Sequence, residues 1–176
     1  MDPKTQVSQI HNVSILDASN KTFEDNLVFA LTHSYPSPSG TSMANAVLNA
    51  YVNLHGQPAL AAATASREAG NSPNTVQAGA VSIIGKKKAQ KAMDAAEALL
   101  DIFKLTDLND PEGTFDYKSL VKGASDHKDA LLGAAADPKA AKVLGVCQSK
   151  GKSVFIDFLV DFAKEQNGHV SMDSIA

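Results

Sequence analysis

Apolar side chains recurring at helical spacing, cut at intervals by proline and glycine, constrain this chain more than any other feature of its sequence. In "AQKAMDAAEALLDIFK" Met93, Ala96, Leu100 and Phe103 fall on one side of a helix and charged residues fall opposite. In "TFEDNLVFALTH" Phe23, Leu27 and Leu31 recur every four residues, and Ser19, Asn20 or Thr22 can cap the start. That helix is expected to run to about His33, because Pro36 and Pro38 forbid its continuation. Ser39 or Thr41 can open the next helix, with Met43, Val47, Tyr51 and Leu54 as its stripe and Gly56 as its stop.

The same punctuation divides the rest. "QPALAAATASREAG" reads as a small-residue helix with Pro58 in its first turn and Gly70 after its end. "NSPNTVQAGAVSIIG" suits a strand or a buried helix, since Val76, Val81, Ile83 and Ile84 fit both, and is read as helix because no strand partner is evident. Asn109, Asp110, Pro111 and Gly113 mark a connection. Short helices are expected at about 126–133 and 137–146, with Asp137 capping the helix that Pro138 begins. In "KSVFIDFLVDFAKEQNG" the positions Val154, Phe155, Phe158, Leu159 and Phe162 give a last strong helix before Gly168.

The expectation is an all-α, compact multi-helix domain over 19–168, with an N-terminal extension at 1–18 and a flexible C-terminal tail at 169–176. At 176 residues one core is enough. Aromatic residues are only 6% and tryptophan is absent, so alanine does much of the filling.

Charge and cysteine content narrow the function classes. A formal net charge of -3 gives no general reason to expect nucleic acid or an anionic membrane as partner. Cys147 is the single cysteine, which excludes an internal disulfide and a structural zinc site built on cysteines, and it is expected to be buried rather than nucleophilic. No apolar run approaches the length of about 20 residues that spans a bilayer, and "MDPKTQVSQI" lacks the order of a secretory signal, so the expected location is the cytoplasm. The histidines show no metal-ligand spacing, and no GxSxG, Walker A or GxGxxG pattern occurs.

Three segments carry candidate chemistry. His33 ends an apolar helix. It suits either a helix-end residue held by the C-terminal dipole and the last carbonyls, or a donor to a substrate carboxylate. Lys86, Lys87, Lys88 and Lys91 place like charges at the positive end of a helix, a conflict that a phosphate or carboxylate would relieve or that water would screen. His127 stands between Asp126 and Lys128, and adjacent helical residues do not face one another, so this is no ready-made relay.

In order along the chain, "FALTHSYPSPSG", "TVQAGAVSIIGKKKAQKAMDAAEALL" and "GASDHKDALLGAAADPKAAKVL" resemble three segments of the citrate synthase and citryl-CoA lyase superfamily. They are similar to its Ala-Asp-His-Gly stretch, its small-residue helix and substrate loop before an Ala-rich helix, and its Gly-x-Gly-His-Arg stretch followed by Asp-Pro-Arg-Ala. The resemblance covers about residues 20 to 165 and implies part of the citrate synthase fold. It further implies that His33 binds a carboxylate of a citrate-like ligand, that His127 binds its keto or hydroxyl oxygen, and that Gly85, Lys86, Lys87 and Lys88 line the site. It implies no permanently bound cofactor and no metal, coenzyme A entering as substrate, and a homo-oligomer or a partner subunit.

The chain also departs from the pattern. "GKKKAQKA" stands where the family has Pro-x-His-Gly-Gly, and no Asn-Val-Asp-Gly segment is recognisable, although Asp157 and Asp161 lie on the terminal helix. The enol-stabilising histidine and the base, groups each worth about a hundredfold or more, have no counterpart in those motifs. A competing expectation is a non-enzymatic interaction or scaffold protein that presents the phenylalanines of its last helix to a partner.

Overall fold

The computed structural model describes residues 8–52, 57–106, 115–150 and 153–175, and for Lys87 and Lys88 the backbone alone. The expected Gly56 stop and the Asn109 to Gly113 connection lie outside the described residues.

The fold is all-α, with two two-stranded antiparallel ribbons as its only strands among the described residues. A hairpin comes first, β1 (Gln9–Ile10) and β2 (Val13–Ser14), pairing Ile10 with Val13. His11 and Asn12 form its two-residue loop at φ 45 and 67, the left-handed pair that matches strand twist in such a turn. Ser14 then caps the short α1 (Ile15–Ala18) by accepting from the Leu16 amide, and Ala18 is buried. The segment read as an N-terminal extension is therefore folded from residue 8.

Helix α2 (Phe23–Thr32) starts on a reciprocal cap: Thr22 accepts from the Asp25 amide, and Asp25 accepts from the Thr22 amide. It ends where the sequence indicates, with His33 as its C-terminal cap. Pro38, rather than Ser39 or Thr41, opens α3 (Pro38–Val52). Pro58 opens α4 (Pro58–Glu68). The ambiguous segment is helix α5 (Pro73–Ser82), because Ser72 caps it and Pro73 is pre-set for a first turn; Ile83 and Ile84 fall beyond its end. Helices α4 and α5 pack chiefly against each other, and α3, α4 and α5 contain no buried residue.

The core belongs to the second half. It is built on α6 (Lys86–Phe103), α7 (Lys118–Gly123), α8 (Lys128–Leu131), β3 (Leu132–Gly133), α9 (Pro138–Lys150), α10 (Val154–Glu165), β4 (His169–Val170) and α11 (Met172–Ile175), with one 3-10 turn at Ser125–His127. Phe158 and Phe162 are fully buried and stacked at 5.6 Å, and Phe103 meets Phe158 edge-on at 5.2 Å. A smaller cluster of Val143, Cys147 and Ile156 joins α9 and α10 to Met43 and Val47 of α3.

Three expectations are corrected here. On α6 the buried side is Ala95, Ala98, Leu99, Ile102 and Phe103, while Met93 is exposed. Alanine satisfies several stripes at once, and packing against α8, α10 and α11 selects a neighbouring one. The phenylalanines of α10 do not face a partner, since Phe158 and Phe162 are in the core and Phe155 packs against it. Residues 169–175 are not a loose tail. Val170 is buried and pairs with Leu132, and Ser174 donates to the Leu131 carbonyl at 2.8 Å.

Candidate functional site

His33 sits where α2 stops. Its backbone is left-handed at φ 64 and its amide donates to Phe29 at 2.9 Å, which closes the last turn. The imidazole lies against that of His11, ring centres 3.5 Å apart, and the His11 Nε2–H donates to the Ala30 carbonyl at 2.8 Å. Phe29 stacks on Tyr35 at 4.2 Å, and the Lys21 ammonium stands 5.1 Å over the Tyr35 ring. His33 is thus an exposed helix cap that helps to dock the N-terminal hairpin.

His127 closes the 3-10 turn after α7 and is 29% exposed. Its Nε2–H donates to Asp101 Oδ2 at 3.1 Å, and Lys104 Nζ donates to the other oxygen at 2.8 Å. These two donors share one carboxylate. The Lys104 hydrogen bond, then its charge, hold the Asp101 carboxyl below its ordinary value, with His127 contributing less.

Gly85 precedes α6 as its N-cap and supplies no side-chain acceptor, so the first amides of the helix lack a capping oxygen while Lys86 to Lys88 occupy its first turn. An anion would meet unsatisfied N–H groups, the positive end of the dipole and lysine charge together. The cluster and the Asp101–His127 pair stand at opposite ends of the same helix, separated by about 22 Å of helical rise.

Between them lies a cleft of about 540 Å3, where α6, α8, β3 and the β4–α11 segment meet. Lys91, Asp94, Lys128, Asp129, His169 and Asp173 bring both signs of charge to it, over a floor that includes Leu132 and Gly133. Lys128 Nζ donates to the Gln166 carbonyl at 3.2 Å, which ties α8 to the end of α10. Neither His33 nor His127 is among its lining residues, nor is Gly85 or Lys86; of the basic cluster, Lys91 faces it.

Sequence reasoning missed His11, Asp101 and the cleft's acids and His169. Each is joined to its partners only by the fold, and no local spacing signals it. Cys147 is buried as expected, and burial pushes its thiol above the ordinary range. Among the described residues no group of three or more His, Cys, Asp or Glu could hold a metal ion, and no helix is long and apolar enough to cross a membrane.

The fold is similar to that of a solved structure of citryl-CoA lyase from Hydrogenobacter thermophilus, with a TM-score of 0.68. This chain has the citryl-CoA lyase fold. The likeness covers 97% of this chain and 70% of the lyase at 16% sequence identity. No protein-family model matches the chain, and no curated protein matches it by sequence. The lyase-like course spans all three segments whose order suggested the superfamily, so their placement on α2–α3, α5–α6 and α7–α9 belongs to one continuous fold.

Proposed function

We propose that the protein binds an acyl-CoA or a citrate-like carboxylate, as a helical component of a carbon–carbon lyase or synthase assembly. The observation that carries this reading is the citryl-CoA lyase fold running through 97% of the chain. The uncapped start of α6 supports it, because Gly85, Lys86, Lys87 and Lys88 offer amides and charge to a phosphate or carboxylate. Lys91 and Lys128 line the neighbouring cleft together with Asp94, Asp129 and Asp173, so the cationic character is confined to the start of α6.

His127 serves as hydrogen-bond donor to a ligand oxygen. A ligand oxygen takes the place of the Asp101 carboxylate as acceptor of the His127 Nε2–H, or shares that hydrogen with it. His33 in this reading is a carboxylate donor only if the His11 contact yields to ligand. With no counterpart of the family's enol-stabilising histidine or its base in those motifs, a complete reaction requires groups from a second copy or a partner subunit.

Calorimetric titration with coenzyme A and then citrate, at low and moderate salt, tests the reading. Saturable binding that weakens with salt and on Lys87→Ala or His127→Ala supports it; an absence of heat with both ligands, on the assembled protein, overturns it.

A second reading, a non-enzymatic interaction protein, is favoured by one observation. Leu31, Val52, Val81 and Ile84 are each more than half exposed, all in the part of the chain that contributes little to the core. A protein that assembles but ignores both ligands would establish it.

A further inference from the structure

The chain contains one Asn-Gly pair, Asn167–Gly168, and the fold puts it at the turn between α10 and β4. In an unfolded chain such a pair cyclises readily, because glycine has no side chain to hinder its own nitrogen as it approaches the asparagine amide carbon. The turn explains why these two residues stand there. Asn167 takes the left-handed conformation, φ 48, and its amide donates to the Lys164 carbonyl at 3.2 Å; the Gly168 amide donates to the Ala163 carbonyl at 2.9 Å. Together the two bonds satisfy the last carbonyls of α10 around a left-handed residue. Gly168 then passes tightly over the core. A Cβ there would stand 2.6 Å from Leu132 Cδ1, and Leu132 is buried and paired with Val170.

The closed turn withholds the reaction. The Gly168 N–H points back into the end of α10, so its nitrogen is turned to Ala163 while the Asn167 side chain is exposed on the cleft wall. To reach the asparagine Cγ that nitrogen must give up the Ala163 bond, Asn167 must leave its left-handed conformation, and Gly168 must lift from Leu132.

We infer that Asn167 is a latent self-modification site, kept as asparagine by the closed α10–β4 turn and converted when that turn opens. The Gly168 nitrogen, losing its proton to solvent, bonds to Asn167 Cγ as the Cγ–Nδ2 bond breaks and ammonia leaves with a proton from solvent. Water then opens the cyclic imide at either carbonyl, giving aspartate or isoaspartate, so the sum is a hydrolysis. Both products add a negative charge to a cleft already lined by Asp94, Asp129 and Asp173. Isoaspartate also adds a methylene to the main chain beside a glycine with no spare room, so the turn cannot regain both the Ala163 bond and the Leu132 contact. Conversion by that route is a one-way release of the segment after α10. His33, His127, Gly85 and Lys86 take no part, so the inference stands or falls apart from the acyl-CoA reading.

The test is incubation of the full chain at one mildly alkaline pH, in native buffer and in unfolding guanidinium chloride, followed by peptide mapping that separates asparagine, aspartate and isoaspartate at each site. The expected result is that Asn167 converts first among the asparagines of the unfolded chain, and at least about tenfold slower in the native protein, where local opening limits it. Val170→Ala, which trims the buried side chain paired with Leu132, is expected to speed conversion of Asn167 in the folded protein and to leave Asn71, in the turn between α4 and α5, at its wild-type rate. If Val170→Ala fails to fold, the wild-type comparison decides. Equal rates at Asn167 in buffer and denaturant, earlier conversion of another asparagine in the unfolded chain, or a folded Val170→Ala in which Asn167 is not selectively accelerated would each overturn the inference.

Discussion

Asp101 and Asp25 are surface carboxylates whose ionised forms the fold favours. Lys104 holds Asp101 below its ordinary value, and the Thr41 hydroxyl does the same for Asp25, where burial, next in weight, opposes it and Thr22 and Lys21 then lower it further. A depressed carboxyl binds fewer protons in the folded than in the unfolded chain. Its stabilisation is complete above the unfolded value of about 3.9 and is lost as pH falls through the folded value. The melting temperature is therefore expected to fall below about pH 4, and Asp101→Asn and Asp25→Asn to shallow that fall, as read by thermal scans across pH. At Cys147 burial keeps the thiol protonated, and the thiolate is the reactive form. Iodoacetamide at pH 8 should modify the native protein more than about tenfold slower than the denatured chain; equal rates would place Cys147 at the surface. Of these residues the sequence shows Cys147 plainly, since a lone apolar-facing cysteine is usually buried. It hides Asp101, whose partnership with His127 exists only after α6 and the 3-10 turn are brought together.

The helices differ in how openly the sequence declares their inner face. In α10 bulky side chains dominate the buried face, and Phe158 and Phe162 point to the core as their spacing indicates. Replacing Phe158 with Ala removes a ring packed between Phe103 and Phe162, and the expected loss of stability is about 3–5 kcal/mol. Phe23→Ala, at a mostly exposed ring, should stay within about 0.5 kcal/mol, and urea unfolding of the two variants reads the contrast. In α6, by contrast, Ala89, Ala92, Ala95, Ala96 and Ala98 allow more than one apolar stripe, and the choice between them was made by neighbours far along the chain. The end of the chain follows the same logic. Val170 has a strand's side chain, but its partner Leu132 lies in a two-residue strand after α8 that no periodicity reveals. Helix boundaries set by chemistry within four residues were legible, as at Thr22, Pro58 and Asp137; the caps Ser72 and Ser153 went unread, and so did contacts between distant segments.

Across the whole molecule, burial is divided unequally. Helices α6 to α11 enclose the core, whereas α4 and α5 pack chiefly on each other and leave Val81, Ile83 and Ile84 in water near the start of α6. Single exposed apolar residues are ordinary, but three within four positions, beside a small-residue helix pair, make a contiguous patch of the kind that proteins cover by association. The alanines of α4 bring no bulk to hold a second element at a distance, so two such pairs can approach closely. A second copy of this chain is the partner that this reading requires, and it would bring its own Gly85 to Lys88 segment close to the same interface. The protein is accordingly expected to sediment as a dimer or larger species at micromolar concentration. Val81→Glu combined with Ile84→Glu should lower the mass to that of one chain without changing the far-UV circular dichroism, because neither side chain belongs to the core. A wild-type monomer at every concentration would remove the case for association through α5. If the double variant is monomeric and also loses coenzyme A binding, the ligand site is completed across the interface; if it still binds, the site belongs to one chain.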